Sequence, residues 1–207
     1  MFSLSVAMFD REWDMKCLVV LSHPLKESLC SHLCQQTIEH LEGKGYDITL
    51  LDLYEESFDP VLSAQERQSY YADNFDRSQL NKELEQLVEA ESLVLVFPTW
   101  WFSFPAMLKG WIDRVWAPGY AYDHDAALGA IKPRLHRLKE VKVVTTLGSP
   151  WWVDNLVMRK PVKRVLKTAI LGACAKDCRV TFLSLYNAEK ASTEKVDKFV
   201  RKIKAKF

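Results

Sequence analysis

Three short stretches carry side chains of a kind that binds rather than merely packs. Thr99, Trp100, Trp101, Phe102, Ser103 and Phe104 crowd aromatic rings into a connection, where a loop that only had to turn would carry small polar residues. Ser22 through Ser28 hold His23 and, at the far end, a serine able to cap a helix and donate to an anion. A loop passing from a strand into a helix points free amides and partial positive charge outward, which favours phosphate, with His23 facing the same place. The same residues also read as a plain helix cap beside a surface histidine. Thr145, Thr146, Leu147, Gly148 and Ser149 offer small polar groups and an approachable backbone, suited to the polar edge of a flat ligand.

Each stretch follows an apolar run, and the runs fix where the stretches lie. Residues 17–22, 93–97 and 141–146 are rich in Val and Leu and too short to span a membrane, so they read as strands buried on both faces of a parallel sheet. Residues 47–53 and 179–185 add two more. Helical stripes separate them: Leu29, Leu33, Ile38 and Leu41, ended by Gly43 and Gly45; Leu80, Leu84, Leu87 and Val88; and Val196, Phe199, Val200 and Ile203. Pro105 is expected at the first position of a further helix, with Met107, Leu108, Trp111, Ile112, Val115 and Trp116 inward and Lys109, Asp113 and Arg114 on the solvent side. Residues 65–77 read as a long connection with one short helix. Strands alternating with helices imply an α/β fold, a doubly wound five-stranded parallel sheet with helices on both faces. In such sheets ligands bind beyond the carboxyl ends of the strands, where all three stretches fall.

The chain has 207 residues, 48% hydrophobic and 12% aromatic, enough for one well-packed domain and short for two. Residues 16–207 are assigned to that domain and residues 1–15 to an N-terminal extension. A net charge of +1 gives no basis for nucleic acid as a partner, and no run has the length of a membrane span. Five cysteines, an odd number, argue against a disulfide framework and for a reducing, cytoplasmic location. The pairs Cys30/Cys34 and Cys174/Cys178 read as buried small hydrophobes. Asp123, His124 and Asp125 lack the further ligands a metal needs, so no metal is expected. Arg159, Lys160, Lys163, Arg164 and Lys167 form a basic stripe, either a solvated face or an attractor for a phosphate group.

The segments 97–102, 105–115 and 120–122, together with Asp52, Leu53 and Tyr54 and residues 58–63, resemble the signature of the NAD(P)H:quinone oxidoreductases of flavodoxin-like fold. That family also includes small bacterial NAD(P)H dehydrogenases and flavoprotein subunits of potassium-efflux systems. The resemblance implies the flavodoxin strand order and a flavin held by His23, Ser28, Leu29 and Cys30 at its phosphate, by Pro98, Thr99, Trp100, Trp101 and Phe102 along its ring, and by Thr145, Thr146, Leu147 and Gly148 at its polar edge. It further implies a substrate pocket walled by Trp101, Tyr122 and His124, often shared across a homodimer. Hydride would pass from NAD(P)H to FMN, or alternatively FAD, and then to a quinone-like acceptor by a ping-pong mechanism. No side chain is named as a catalytic acid or base. Glu27 and Cys30 stand where small polar residues are usual. Where some members carry a Tyr and a His after the third stretch, this chain has Trp151, Trp152 and Asp154, with the tryptophans either contacting the ring or packing on the next helix. A regulatory subunit of a membrane ion transporter and a flavodoxin-like electron carrier are the alternative functions. The near-neutral charge speaks against the carrier.

Overall fold

The computed structural model describes residues 15–70, 79–124 and 129–207. Its elements run β1 (Met15–Leu21), α1 (Leu29–Glu42), β2 (Tyr46–Asp52), α2 (Ala64–Ser69), α3 (Asn81–Glu89), β3 (Ser92–Pro98), α4 (Ala106–Val115), β4 (Tyr122–His124), β5 (Ile131–Pro133), β6 (Glu140–Leu147), α5 (Pro161–Arg164), α6 (Gly172–Cys174), β7 (Arg179–Tyr186) and α7 (Thr193–Lys206). A π-helical turn spans Val153–Val157, and a second π-helical run, Val165–Leu171, joins α5 to α6.

Five strands form one sheet in the order β2-β1-β3-β6-β7, every pairing parallel. The order reverses beside β1, so the loops after β1, β3 and β6 share one crevice at the carboxyl ends. All residues of β3 are buried, as its unbroken apolar run requires. Alternation sends Leu93, Leu95 and Phe97 into one core with α3, α4 and the helix of residues 161–174. Val94 and Val96 enter the other core, with α1 and α7. β4 and β5 form a separate antiparallel ribbon.

Several expectations change in detail. Met15 already pairs with Tyr46, so the sheet starts one residue before the assigned boundary; residues 1–14 lie outside the described residues. Pro105 is the N-cap of α4, not its first helical residue: its ψ of 148° is extended, while its carbonyl accepts the first helical bond from Lys109 at 2.9 Å. Gly43 stays right-handed, and Gly45, at φ +89°, makes the left-handed turn after α1. Arg114 is buried, not solvated, because the connection after β2 folds across α4 and supplies the Glu66 carboxylate. The basic stripe is helical only in part: Arg159 and Lys160 form a left-handed turn ahead of α5, at φ 56° and 52°.

Candidate functional site

The loop after β1 leaves the sheet at Ser22, whose amide still donates to Val96 O at 3.0 Å. His23 Nδ1 accepts from the Leu25 amide at 3.1 Å. The same nitrogen lies 3.3 Å from Leu25 O, so both contacts hold the ring by Nδ1 and leave Nε2 turned away from Leu25. Ser28 caps α1, its Oγ accepting from the Ser31 amide at 3.1 Å and lying 2.8 Å from the Ser31 hydroxyl. The Leu29 and Cys30 amides ahead of Ser31 have no partner within α1 and point back along its axis. With the dipole of a 14-residue helix behind them, they make a seat for an anion.

The loop after β3 is tied to β6 by two bonds. The Thr99 amide donates to Thr146 O at 2.8 Å, and the Thr99 and Thr145 hydroxyls lie 2.6 Å apart. The chain then reverses sharply, Trp100 bridging Ser103 with the Ser103 amide on Trp100 O at 2.9 Å. Both residues between them are left-handed, Trp101 at φ 50° and Phe102 at φ 55°. Turns of this kind favour Gly or Asn, and a bulky side chain held there is strained by about 1–3 kcal/mol. Phe97 and Phe104, with ring centroids 5.6 Å apart, anchor the base, while Trp101 stands 95% exposed and Trp100 44%.

At the end of β6, Thr145, Thr146 and Leu147 are buried, so this loop offers the crevice its backbone more than its side chains. The Cys30 thiol reaches Thr146 Oγ1 at 3.4 Å, joining the start of α1 to β6, and the His23 ring lies 6.1 Å from that of Trp100. The structure thus draws the three sequence stretches, with Pro98 at the root of the second, into one place. Gly148 is faced by Glu189: a Cβ added there would come within 2.9 Å of Oε1. Ser22 Oγ and Ser149 Oγ are buried without hydrogen-bond partners among the described residues, one at the end of β1 and one beyond β6.

Tyr122 and His124 sit apart on the β4–β5 ribbon, in edge contact with each other at 5.4 Å; Asp125 and Leu128 lie outside the described residues. Trp151 and Trp152 are both more than half exposed, so the following helix does not bury them. The sequence reading missed what lies beneath them. Asn155 Nδ2 donates to Trp151 O at 2.8 Å and to the Tyr186 hydroxyl at 2.9 Å, and that hydroxyl donates to the buried Asp154 at 2.9 Å. Burial raises the Tyr186 phenol above its ordinary value, and Asp154 adds to the rise. Tyr186 closes a strand and Asp154 follows one, but only the π-helical turn aims them at each other. No group of three His, Cys, Asp or Glu among the described residues can hold a metal ion, and no helix among them is long and apolar enough to cross a membrane.

All five cysteines are free. Burial pushes the thiols of Cys17 and Cys30 up to about 11 and those of Cys34 and Cys174 up to about 12, with Cys178 raised as well. At neutral pH they stay protonated, which makes Cys30 a packing residue and not a nucleophile. The folded protein should therefore react with a thiol reagent at pH 7 at no more than one position, the half-buried Cys178, and fully only after denaturation; rapid labelling of Cys30 in native protein would contradict this.

The crevice therefore combines anion donors at α1, exposed aromatic rings after β3 and open backbone after β6. The "Uncharacterized NAD(P)H oxidoreductase YcaK" of Escherichia coli (strain K12) is 38% identical over 107 residues, half of this chain and 54% of that protein. The NAD(P)H dehydrogenase [quinone] 1 of Cavia porcellus is 31% identical over 150 residues, 65% of this chain and 54% of that protein. The chain spans about half the length of these curated relatives. The crystal structure of Smu.1420 from Streptococcus mutans UA159 superposes with a TM-score of 0.79 at 30% identity, covering 92% of this chain and 97% of that one. A family model described as flavodoxin-like fold matches residues 15–207, and the chain belongs to that family.

Proposed function

We propose that the chain is a flavin-dependent NAD(P)H oxidoreductase that reduces quinones or similar flat acceptors, with FMN as its resident cofactor. The carrying observation is the convergence of the three loops, locked by the Thr99–Thr145 and Thr99–Thr146 bonds and by Cys30 on Thr146. The residues fit a flavin nucleotide. The Leu29 and Cys30 amides, Ser28 and the imidazole of His23 suit its phosphate. Trp100, Trp101 and Phe102 suit its ring, and the backbone of residues 146–149, beside the unpartnered Ser149 hydroxyl, suits its polar edge. A flavin held by these residues would supply hydride chemistry, with NAD(P)H as donor and the acceptor following it at the same open face, a ping-pong sequence. The protein's part is to hold the ring plane, exclude water with its aromatic loop and leave one face open. The names of the YcaK and guinea-pig relatives support the same activity.

FMN is favoured over FAD by what adjoins the phosphate seat. The groove between α1 and β2 carries the carboxylates of Glu27, Asp52 and Glu55, and its one lysine, Lys26, is already paired with Glu55 at 2.5 Å. A second phosphate and its adenosine would meet net negative charge there. The active form is taken as a cytosolic homodimer in which Tyr122 and His124 complete the acceptor pocket. Exposed Trp152, Leu156 and Val157 offer an apolar face for association. The test is the visible spectrum of the purified protein, followed by NADH or NADPH without air. Flavin bands that bleach with either nucleotide, and FMN released on heating, are expected. A colourless protein that takes up neither flavin overturns the proposal.

A further inference from the structure

Beyond β6 and β7, next to the aromatic crevice, lies a cavity of about 190 Å³. Its inner wall is polar, with Thr99, Thr145, Ser184 and Tyr186 among its residues, and half-exposed Trp151 forms one side. Its rim carries Lys160, Lys163 and Lys202, from three separate elements: the left-handed turn before α5, α5 itself and α7. None of the three ammonium groups makes an ion pair or side-chain hydrogen bond among the described residues. Some lysines elsewhere are paired, Lys16 with Glu89, Lys26 with Glu55, Lys109 with Asp113 and Lys139 with Glu91, and others stand unpaired on separate surfaces, so what distinguishes these three is that they line one cavity. The cavity wall has one carboxylate, Asp154, and it already accepts from Tyr186.

Lysines on a solvated helix face would diverge, and Arg164 and Lys167 of the same stripe do lie outside the cavity wall. Lys160 joins that wall by way of a strained backbone. Arg159 and Lys160 are both left-handed without being glycine, and the Lys160 amide is fixed on Asp154 O at 2.8 Å. Such strain persists only where surrounding structure imposes it, and it gathers at ligand sites. The flanking π-helical runs belong to the same pattern.

We infer that Lys160, Lys163 and Lys202 take the 2′-phosphate of NADPH, so that the protein prefers NADPH to NADH; this rests on the oxidoreductase reading above and specifies its electron donor. Three ammonium groups against one hydrogen-bonded carboxylate match a dianionic phosphate monoester. The Trp151 ring offers a face to the adjoining adenine. The cavity begins at Thr99, after β3, and its rim lies past β7, two strand spacings or about 10 Å away. A dinucleotide bound across it would set the phosphate at the rim and the nicotinamide at the aromatic loop.

The test measures binding of 2′,5′-ADP, 5′-AMP and 5′-ADP to the full chain as purified, by calorimetry or by quenching of tryptophan emission. Expected is binding of 2′,5′-ADP at least about ten-fold tighter than of either other nucleotide, weakening with salt. Lys160→Gln, Lys163→Gln and Lys202→Gln should each reduce the 2′,5′-ADP affinity by roughly five-fold, and lower the ratio of kcat/KM for NADPH over NADH in step. Equal affinity for 5′-ADP and 2′,5′-ADP would mean that a pyrophosphate is read, and overturns the inference. So does an NADPH/NADH ratio indifferent to all three substitutions. Flavin bands that bleach equally with NADH and NADPH leave the oxidoreductase reading intact while removing this site from it. Selective 2′,5′-ADP binding by a protein that takes up no flavin keeps the phosphate site and removes the reading.

Discussion

Arg114→Ala is expected to destabilise the protein by about 3–5 kcal/mol, the cost of leaving a buried charge unpaired. Arg114 is 3% exposed, and its Nε and Nη2 donate to Glu66 Oε1 at 2.9 and 2.5 Å. Nη1 donates to Asp59 O, and the guanidinium lies over the Phe58 ring at 5.5 Å. The other Glu66 oxygen accepts from the Ser63 amide at 2.7 Å, closing the capping box of α2. One arginine therefore fastens residues 58–66 onto α4, at a spot where Gly110 lets the chain come so near that a Cβ would sit 2.2 Å from Pro60 O. Without the guanidinium, the buried Glu66 carboxylate loses two of its three hydrogen bonds. A chain of this size loses roughly 2–4 °C in Tm per kcal/mol, so a fall of about 10 °C is expected. The double variant Arg114→Met with Glu66→Gln should recover much of it, because a buried pair adds little over packing while a broken pair costs a great deal. An Arg114→Ala melting temperature within 2 °C of the parent would refute this account.

Arg114 also marks where sequence reasoning gives out. Its helical position placed it beside Lys109 and Asp113, which do form a solvent-side pair at 2.5 Å. Nothing within α4 signals that a carboxylate 48 residues away covers Arg114 alone. The strands were legible because burial on both faces writes an unbroken apolar run, and β3 carries one from Leu93 to Phe97. The loops were legible because rings at Trp100 and Trp101 are wasted in a connection that only turns. Less legible was how the loops are joined. The Thr99–Thr145 bond and the Cys30–Thr146 contact link residues far apart in sequence, and they exist only once strand order and register are set. The lysine cluster was half visible: the stripe 159–167 showed, but Lys202 comes from another helix and the left-handed turn at Arg159 and Lys160 has no compositional mark.

Trp101→Gly should move two properties in opposite directions. The flavin-free protein should gain about 0.5–2 kcal/mol, since glycine relieves the left-handed strain at φ 50° while adding some entropy to the unfolded chain. Burial does not oppose the gain, because the ring is 95% exposed and packs on almost nothing in the chain itself. Flavin retention should fall by roughly ten-fold or more, the scale of one lost aromatic stacking contact of about 1–3 kcal/mol. Trp101→Ala separates the two effects. It removes the same ring but keeps a Cβ in the left-handed backbone, so retention should fall equally while melting gains nothing. Measured together, flavin dissociation constants and apo-protein melting curves for both variants decide the matter. If both retain flavin like the parent, the exposed ring is not a ligand surface. If alanine stabilises as much as glycine, the ring itself was the source of strain and the turn is not held left-handed against its residues. If only glycine stabilises and both lose flavin, the protein holds a strained turn because that turn puts an aromatic face where the ligand needs it.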